Sequence, residues 1–397
     1  MIIIILEDNF INLSERIGLN LEQKLLRFIK YNKKEKQNKD DINYLKSVKE
    51  YIDLIKNNNI NIENFNKEIN NPKISFISPI FNKDKYLKSL IISLQKQLIE
   101  DYEIIFIDDC SKDNSFKIIN DFSRIDQRIK LIKNKINKGT LYSRIQGALQ
   151  SKGEYIIFID SDDMILKDGL YNSYNYLKRS DLSMVQFNTI FNRNNILNLS
   201  KRYYKYEKII KQPILSYIFY YNEKNRKADE NNTALWDKLI KREIVIKACY
   251  FIGEEYYNEN IKIENDVILL YSIFRTAHSY QYINEIGYYY VRTHNDSITN
   301  TWNKLKISNL IIHGLFVNIK FLYEKSENSY LGKSLCVFKL KQSYKRYFKC
   351  FKKIGLEYYF VKKVLQLMIN CPYILLEDKN IISNINTKFS LFYSNKT

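Results

Sequence analysis

The sequence predicts an α/β fold: a mostly parallel sheet flanked by helices, with an N-terminal, mostly helical extension over residues 1–72 and a C-terminal basic helical region over residues 306–397. Three observations predict it. Between residues 73 and 305, short apolar runs alternate with stretches whose apolar residues recur at a 3.6-residue period, the pattern of strands joined by crossover helices. Hydrophobic residues make up 45% of the 397, enough to build a core, which excludes collagen-like, Pro/Gly low-complexity and acidic disordered chains. The net charge is +19, and residues 301–397 hold 17 Lys+Arg against 5 Asp+Glu, so the excess sits in one terminal region.

The elements follow in order. Met1 to Leu6 reads as a buried edge strand or packing tail, because it is too short for a secretory core and runs into Glu7-Asp8. Lys73 to Ser78 is a short apolar strand ending at Pro79-Ile80-Phe81-Asn82, and Tyr86, Leu87, Leu90, Ile91 and Leu94 mark the helix after it. Tyr102 to Ile107 is a second strand, stopping at Asp108-Asp109. Asp113 offers an N-cap for a helix carrying Phe116, Ile118, Ile119 and Phe122. Ile129 to Ile132 leads to Asn137-Lys138-Gly139, where Thr140 opens another helix, and the strand Tyr155 to Ile159 ends in Asp160-Ser161-Asp162-Asp163. Beyond residue 306, Leu335, Val337, Phe338, Leu340, Tyr344 and Phe348 recur at helical intervals among lysines. That pattern suits an anionic membrane surface or a polyanion, or a solvated face on a helical cap.

Chemistry concentrates where strands end. Ligands of open parallel sheets bind at the carboxyl ends of the strands. Here Asp108-Asp109 and Asp160-Ser161-Asp162-Asp163 both fall at such ends. Carboxylates this close repel one another and need a cation or hydrogen-bond donors to stay ionised. An Asp-x-Asp pair on a tight turn offers hard oxygens to Mg²⁺ or Mn²⁺, which in turn takes phosphate oxygens, so a metal-bound diphosphate is the natural occupant.

These segments resemble family 2 glycosyltransferases of the GT-A fold, a Rossmann-related architecture. The resemblance rests on Pro79-Ile80-Phe81-Asn82, Ile107 to Asp113, Asn137-Lys138-Gly139 and Gly153-Glu154-Tyr155-Ile156 running into Asp160 to Asp163. It continues through Leu235 to Leu239, Glu264-Asn265-Asp266 and Tyr290 to Ile298, and so covers residues 73–300. It implies inverting transfer of a sugar from a nucleotide-sugar, UDP-sugar favoured, with Mn²⁺ or Mg²⁺, to a glycan, glycolipid or glycopolymer hydroxyl. It implies that Pro79 and Phe81 line the base pocket, Asp109 accepts from the nucleobase beside Asp108, and Arg144 faces the donor. Asp160 lies near ribose and metal, Asp162 binds the metal, and Asp163 supports them. Asp266 is the general base, with Glu264 its rival. Arg292, His294 and Ser297 close over the diphosphate, His294 as a third metal ligand or as a satisfied polar histidine. Trp236 stacks on an acceptor sugar or fills a core.

Two other classes stay open: a nucleotidyltransferase, against which the loop Pro79-Ile80-Phe81-Asn82 speaks because it is neither Gly-rich nor basic, and an inactive module that binds a membrane or polyanion through residues 306–397. No nucleic-acid motif accompanies the basic charge, so no nucleic-acid partner is expected. The five cysteines are odd in number and scattered, which agrees with a reducing compartment. No window is apolar enough to span a membrane, and Ile307 to Tyr323 is interrupted by Asn309, His313, Asn318 and Lys320. The expected location is cytoplasmic, with peripheral membrane contact through the basic helices.

Overall fold

A computed structural model describes residues 39–57, 64–66, 69–193, 196–200, 209–211, 234–261, 265–291 and 305–325. In chain order the elements are α1 (Lys39–Lys56), β1 (Ile74–Ile80), α2 (Asp84–Gln95), β2 (Tyr102–Asp108), α3 (Ser115–Ser123), β3 (Ile129–Lys133), α4 (Thr140–Gln150), β4 (Tyr155–Phe158), β5 (Met164–Ile165) and α5 (Lys167–Arg179). After them come β6 (Met184–Arg193), β7 (Ile196–Ser200), β8 (Ile210–Lys211), β9 (Lys238–Lys241), α6 (Arg242–Ile252), α7 (Glu254–Tyr257), α8 (Asp266–Thr276), β10 (Ser279–Val291) and α9 (Leu305–Glu324). Met1 to Leu6 and the basic stretch from Leu335 lie outside the described residues.

The sheet runs β3-β2-β1-β4-β9-β6-β10-β5, with β7 beside β6 and β8 beside β10. Its first half is the expected α/β arrangement: β3, β2, β1 and β4 are parallel, with Ile77 opposite both Ile105 and Phe158. Every residue of β1 and β2 is buried, as strands covered by helices on both faces must be. One cover is the apolar stripe Leu87, Leu90, Ile91 and Leu94 of α2, each side chain contributing about 1.5–3 kcal/mol by burial. On α4, a Cβ at Gly147 would come within 2.5 Å of Ile77 Cγ2, so glycine permits that close approach.

Past β4 the sheet becomes mixed. The four-residue β9 is antiparallel to both β4 and β6, while β6 and β10 are parallel to each other. Beside β9 lies a fully buried ion pair, Lys238 Nζ to Asp237 Oδ1 at 2.7 Å. Lys238 Nζ also donates to Ala234 O, and Gln186 Nε2 donates to Asp237 Oδ2.

Both flanking regions reach the core. From α1, Leu45, Val48, Ile52 and Ile55 pack with Ile92, Met164, Leu166, Ile190, Tyr289 and Val291. In α9, the Phe321 ring is fully buried against Tyr256 and Tyr271. The apolar stripe of 307–323 therefore faces protein over its described part. No helix among the described residues is long and apolar enough to cross a membrane.

Candidate active site at the carboxyl edge of the sheet

Two loops are stitched together where β1 and β2 end. Asn82, in the left-handed region at φ 53, donates its N–H to Ser111 Oγ at 3.0 Å and accepts Lys112 N–H at 2.8 Å on its side-chain oxygen. Lys83 N–H donates to Ser115 Oγ at 2.8 Å. Asp113 accepts from the first N–H of α2 (Asp84) and of α3 (Ser115), both at 3.0 Å, so it serves two helix N-termini rather than one. Cys110 is also left-handed, at φ 66. Two non-glycine residues in that region within one loop pair are the local strain often found at binding sites. Pro79 is buried in β1 opposite Ile107, and Phe81 beyond it keeps 43% of its surface exposed, a ring available for stacking.

The structure makes Asp109 a clasp. Its Oδ1 accepts from Asn134 Nδ2 at 2.9 Å and Lys138 N–H at 2.8 Å, and its Oδ2 accepts from Gly139 N–H at 2.8 Å. It thereby fixes the turn into α4, where Gly139 has φ +91. Asp108 is fully buried and takes Ser111 N–H at 3.2 Å.

One turn into α4, Arg144 is 3% exposed and bridges the carboxylates. Its Nη2 meets Asp160 Oδ1 at 2.7 Å, and its Nη1 donates to Asn265 Oδ1 at 2.7 Å and to Asp266 Oδ1. The guanidinium thus ties the end of β4 to the N-terminus of α8. Asp160 and Asp266 keep 31% and 27% of their side chains exposed, so both remain open to a ligand. Burial raises the Asp160 carboxyl to about 6; Arg144 opposes the rise, and Asp266 and Asp162 add to it. Asp162 Oδ2 pairs with Lys83 Nζ at 2.6 Å.

Asp163 is the supporting carboxylate. It accepts Val291 N–H at 2.9 Å and the Tyr288 hydroxyl at 2.8 Å, and that hydroxyl accepts Asp160 N–H at 3.1 Å. Burial and the neighbouring Asp162 and Asp160 push its carboxyl well above the usual range. Trp236 is buried and stacks on Tyr288 with centroids 4.7 Å apart. Its ring belongs to the core and reaches the acidic cluster through Tyr288. Arg292, His294, Ser297 and Glu264 lie outside the described residues.

Asp160 and Asp162 are hard donors in a group of four carboxylates, with Asp163 and Asp266, that two cations, Arg144 and Lys83, meet among the described residues. That suits a divalent cation taking its other ligands from a diphosphate and water. Among the described residues, no three His, Cys, Asp or Glu side chains form a metal-binding group. Lys83, Asn265 and Tyr288 are the site residues that sequence reasoning passed over. Lys83 and Asn265 stand inside or beside the motifs already quoted, while Tyr288 reaches the cluster only through the pairing of β10.

Residues 75–244 match the family model described as Glycosyl transferase family 2. Those residues form a family 2 glycosyl transferase domain. Apart from Ile74, the strands β1 to β9 lie within the matched span, while Asp266 and β10 lie beyond it. An uncharacterized glycosyltransferase of Haemophilus influenzae is 38% identical over 123 residues, 31% of this chain and 49% of that protein. A cholesterol galactosyltransferase of Borreliella burgdorferi is 31% identical over 220 residues, 54% of this chain and 59% of that protein. The chain spans about half the length of these curated relatives. Among solved structures, Staphylococcus aureus TarS 1–349 in complex with UDP is 17% identical, with a TM-score of 0.47, covering 70% of this chain and 72% of that one.

Proposed function

We propose that this chain is a metal-dependent, inverting glycosyltransferase moving a sugar from a nucleotide-diphosphate-sugar, UDP-sugar favoured, to a hydroxyl of a glycan, glycolipid or glycopolymer. The family match supports sugar transfer. The observation that carries the site is the convergence of Asp160 and Asp266 on the buried Arg144 at the carboxyl edge of the parallel strands, with Asp162 held by Lys83, two residues after the exposed Phe81. The curated relatives named for their acceptors include one acting on cholesterol and one on poly(ribitol-phosphate), which supports an acceptor of the lipid or polymer class.

Roles follow from position. Phe81 stacks on the base, and Asp109 holds the loop that frames it. Asp160 and Asp162, with His294 as an expected third ligand, would hold Mn²⁺ or Mg²⁺. Such an ion, when bound, neutralises charge developing on the leaving diphosphate. Asp266, one oxygen fixed by Arg144, takes the acceptor hydroxyl's proton with the other. The acceptor oxygen then bonds to the anomeric carbon as the bond to the diphosphate breaks, and the diphosphate leaves with the electron pair. A single displacement inverts the configuration. Arg292 and Ser297 are assigned to closure over the diphosphate. The location we propose is cytoplasmic, with residues 306–397 touching a membrane face.

The test is a thermal-shift screen of UDP-, GDP-, CMP- and dTDP-sugars with and without Mn²⁺, since a ligand of the native state raises its melting temperature by mass action. One nucleotide class should give a Mn²⁺-dependent shift that Asp162→Asn abolishes. Folded protein that shifts with none of them would sink the reading.

A further inference from the structure

Among the described residues two protein cations meet the acidic cluster, and they are held very differently. Arg144 is locked: its fork engages Asp160, Asp266 and Asn265 while almost wholly buried. Lys83 reaches Asp162 through one ammonium contact of 2.6 Å, and both side chains keep 20% exposure. Its main chain is pinned by Ser115 Oγ, and Asn82 before it by Ser111 Oγ, so any movement is confined to the four-carbon stem. The environment keeps the amine charged: burial works against its charge, and Asp162 and Asp160 outweigh burial. An ammonium on such a stem is a compact point charge that changes partners easily, unlike a forked guanidinium.

We propose that Lys83 is a built-in counter-ion for Asp162. Without donor its ammonium occupies the carboxylate oxygen that a divalent cation needs. When a diphosphate arrives, the ammonium turns to a phosphate oxygen and yields Asp162 to the cation. Lone Mn²⁺ therefore binds poorly, because it must displace Lys83 or sit beside a like charge, and metal and donor bind together. The inference rests on the transferase reading above.

The test is Mn²⁺ binding to the full chain without nucleotide, read from the electron paramagnetic resonance signal of the free ion. Lys83→Met should bind Mn²⁺ about tenfold or more tighter than the natural protein, because a like charge a few ångströms from the ion is gone. Lys83→Met/Asp162→Asn should lose that gain, and Lys83→Arg should behave as the natural protein. Far-UV circular dichroism checks folding, with Lys83→Gln as the second variant should the methionine form fail to fold. Lys83→Met binding Mn²⁺ no tighter than the natural protein, or a gain that survives Asp162→Asn, overturns the inference. In that event a donor-induced thermal shift in the natural protein still leaves the transferase reading standing, and its absence removes that reading as well.

Discussion

At the scale of single residues, Arg144 decides the site. Removing it as Arg144→Met leaves Asp160 and Asp266 crowded without their shared cation, a change expected to cost about 3–5 kcal/mol. Chemical denaturation should record that loss, and Arg144→Lys should recover part of it. Asp160 gives a pH signature. Its folded carboxyl sits near 6, above the ordinary 3.8, so the folded state holds the proton more tightly. This group's contribution to stability is therefore fully present below about pH 4 and is lost as pH rises through about 6. Melting curves at pH 4.5 and 6.5 should show Asp160→Asn gaining relative to the natural protein at the higher pH. The carboxylates themselves were legible in the sequence, because they punctuate the ends of apolar runs. Their partners were not: spacing says nothing of the fork that joins positions 144, 160 and 266, and Lys83 is inconspicuous in a lysine-rich chain.

At the scale of elements, the parallel strands β1 to β4 were readable because each is a short apolar run leading to Pro79-Ile80-Phe81-Asn82, Asp108-Asp109, Asn137-Lys138-Gly139 or Asp160. The mixed half was not, since β9 has four residues and includes a buried lysine whose ion pair only the folded chain creates. Asp237→Ala leaves Lys238 buried without that carboxylate and should destabilise by about 3–5 kcal/mol. The helix α1 looked like part of a polar extension, yet its apolar face closes the core behind β10. Ile52, 1% exposed, should cost about 2–5 kcal/mol as Ile52→Ala, whereas the exposed Leu54 should change stability by about 0.5 kcal/mol or less as Leu54→Ala. Equal losses at both positions would contradict the packing of α1. Backbone approach is equally demanding in α5, where a Cβ at Gly169 would fall 1.9 Å from Ile286 O, so Gly169→Ala should lower the melting temperature sharply.

At the scale of the whole molecule, charge and fold divide the work. The sheet gathers carboxylates at one edge, while the basic excess lies in residues 301–397. The described part of α9 spends its apolar side chains on α7 and α8, so the proposed membrane contact falls to charge in the terminal region. Sedimentation with vesicles containing anionic lipid should then recover the full chain at low ionic strength and lose most of it at 0.5 M NaCl, where the Debye length falls to about 4 Å. Binding that ignores both salt and lipid charge would contradict this. The central claim remains the carboxyl-edge site, and its most direct measurement compares Asp266→Asn with the natural protein, using the donor identified by thermal shift. Donor-induced stabilisation should persist, while release of nucleoside diphosphate falls by about 10²–10⁴-fold. An Asp266→Asn protein that turns over donor at the natural rate would contradict the account.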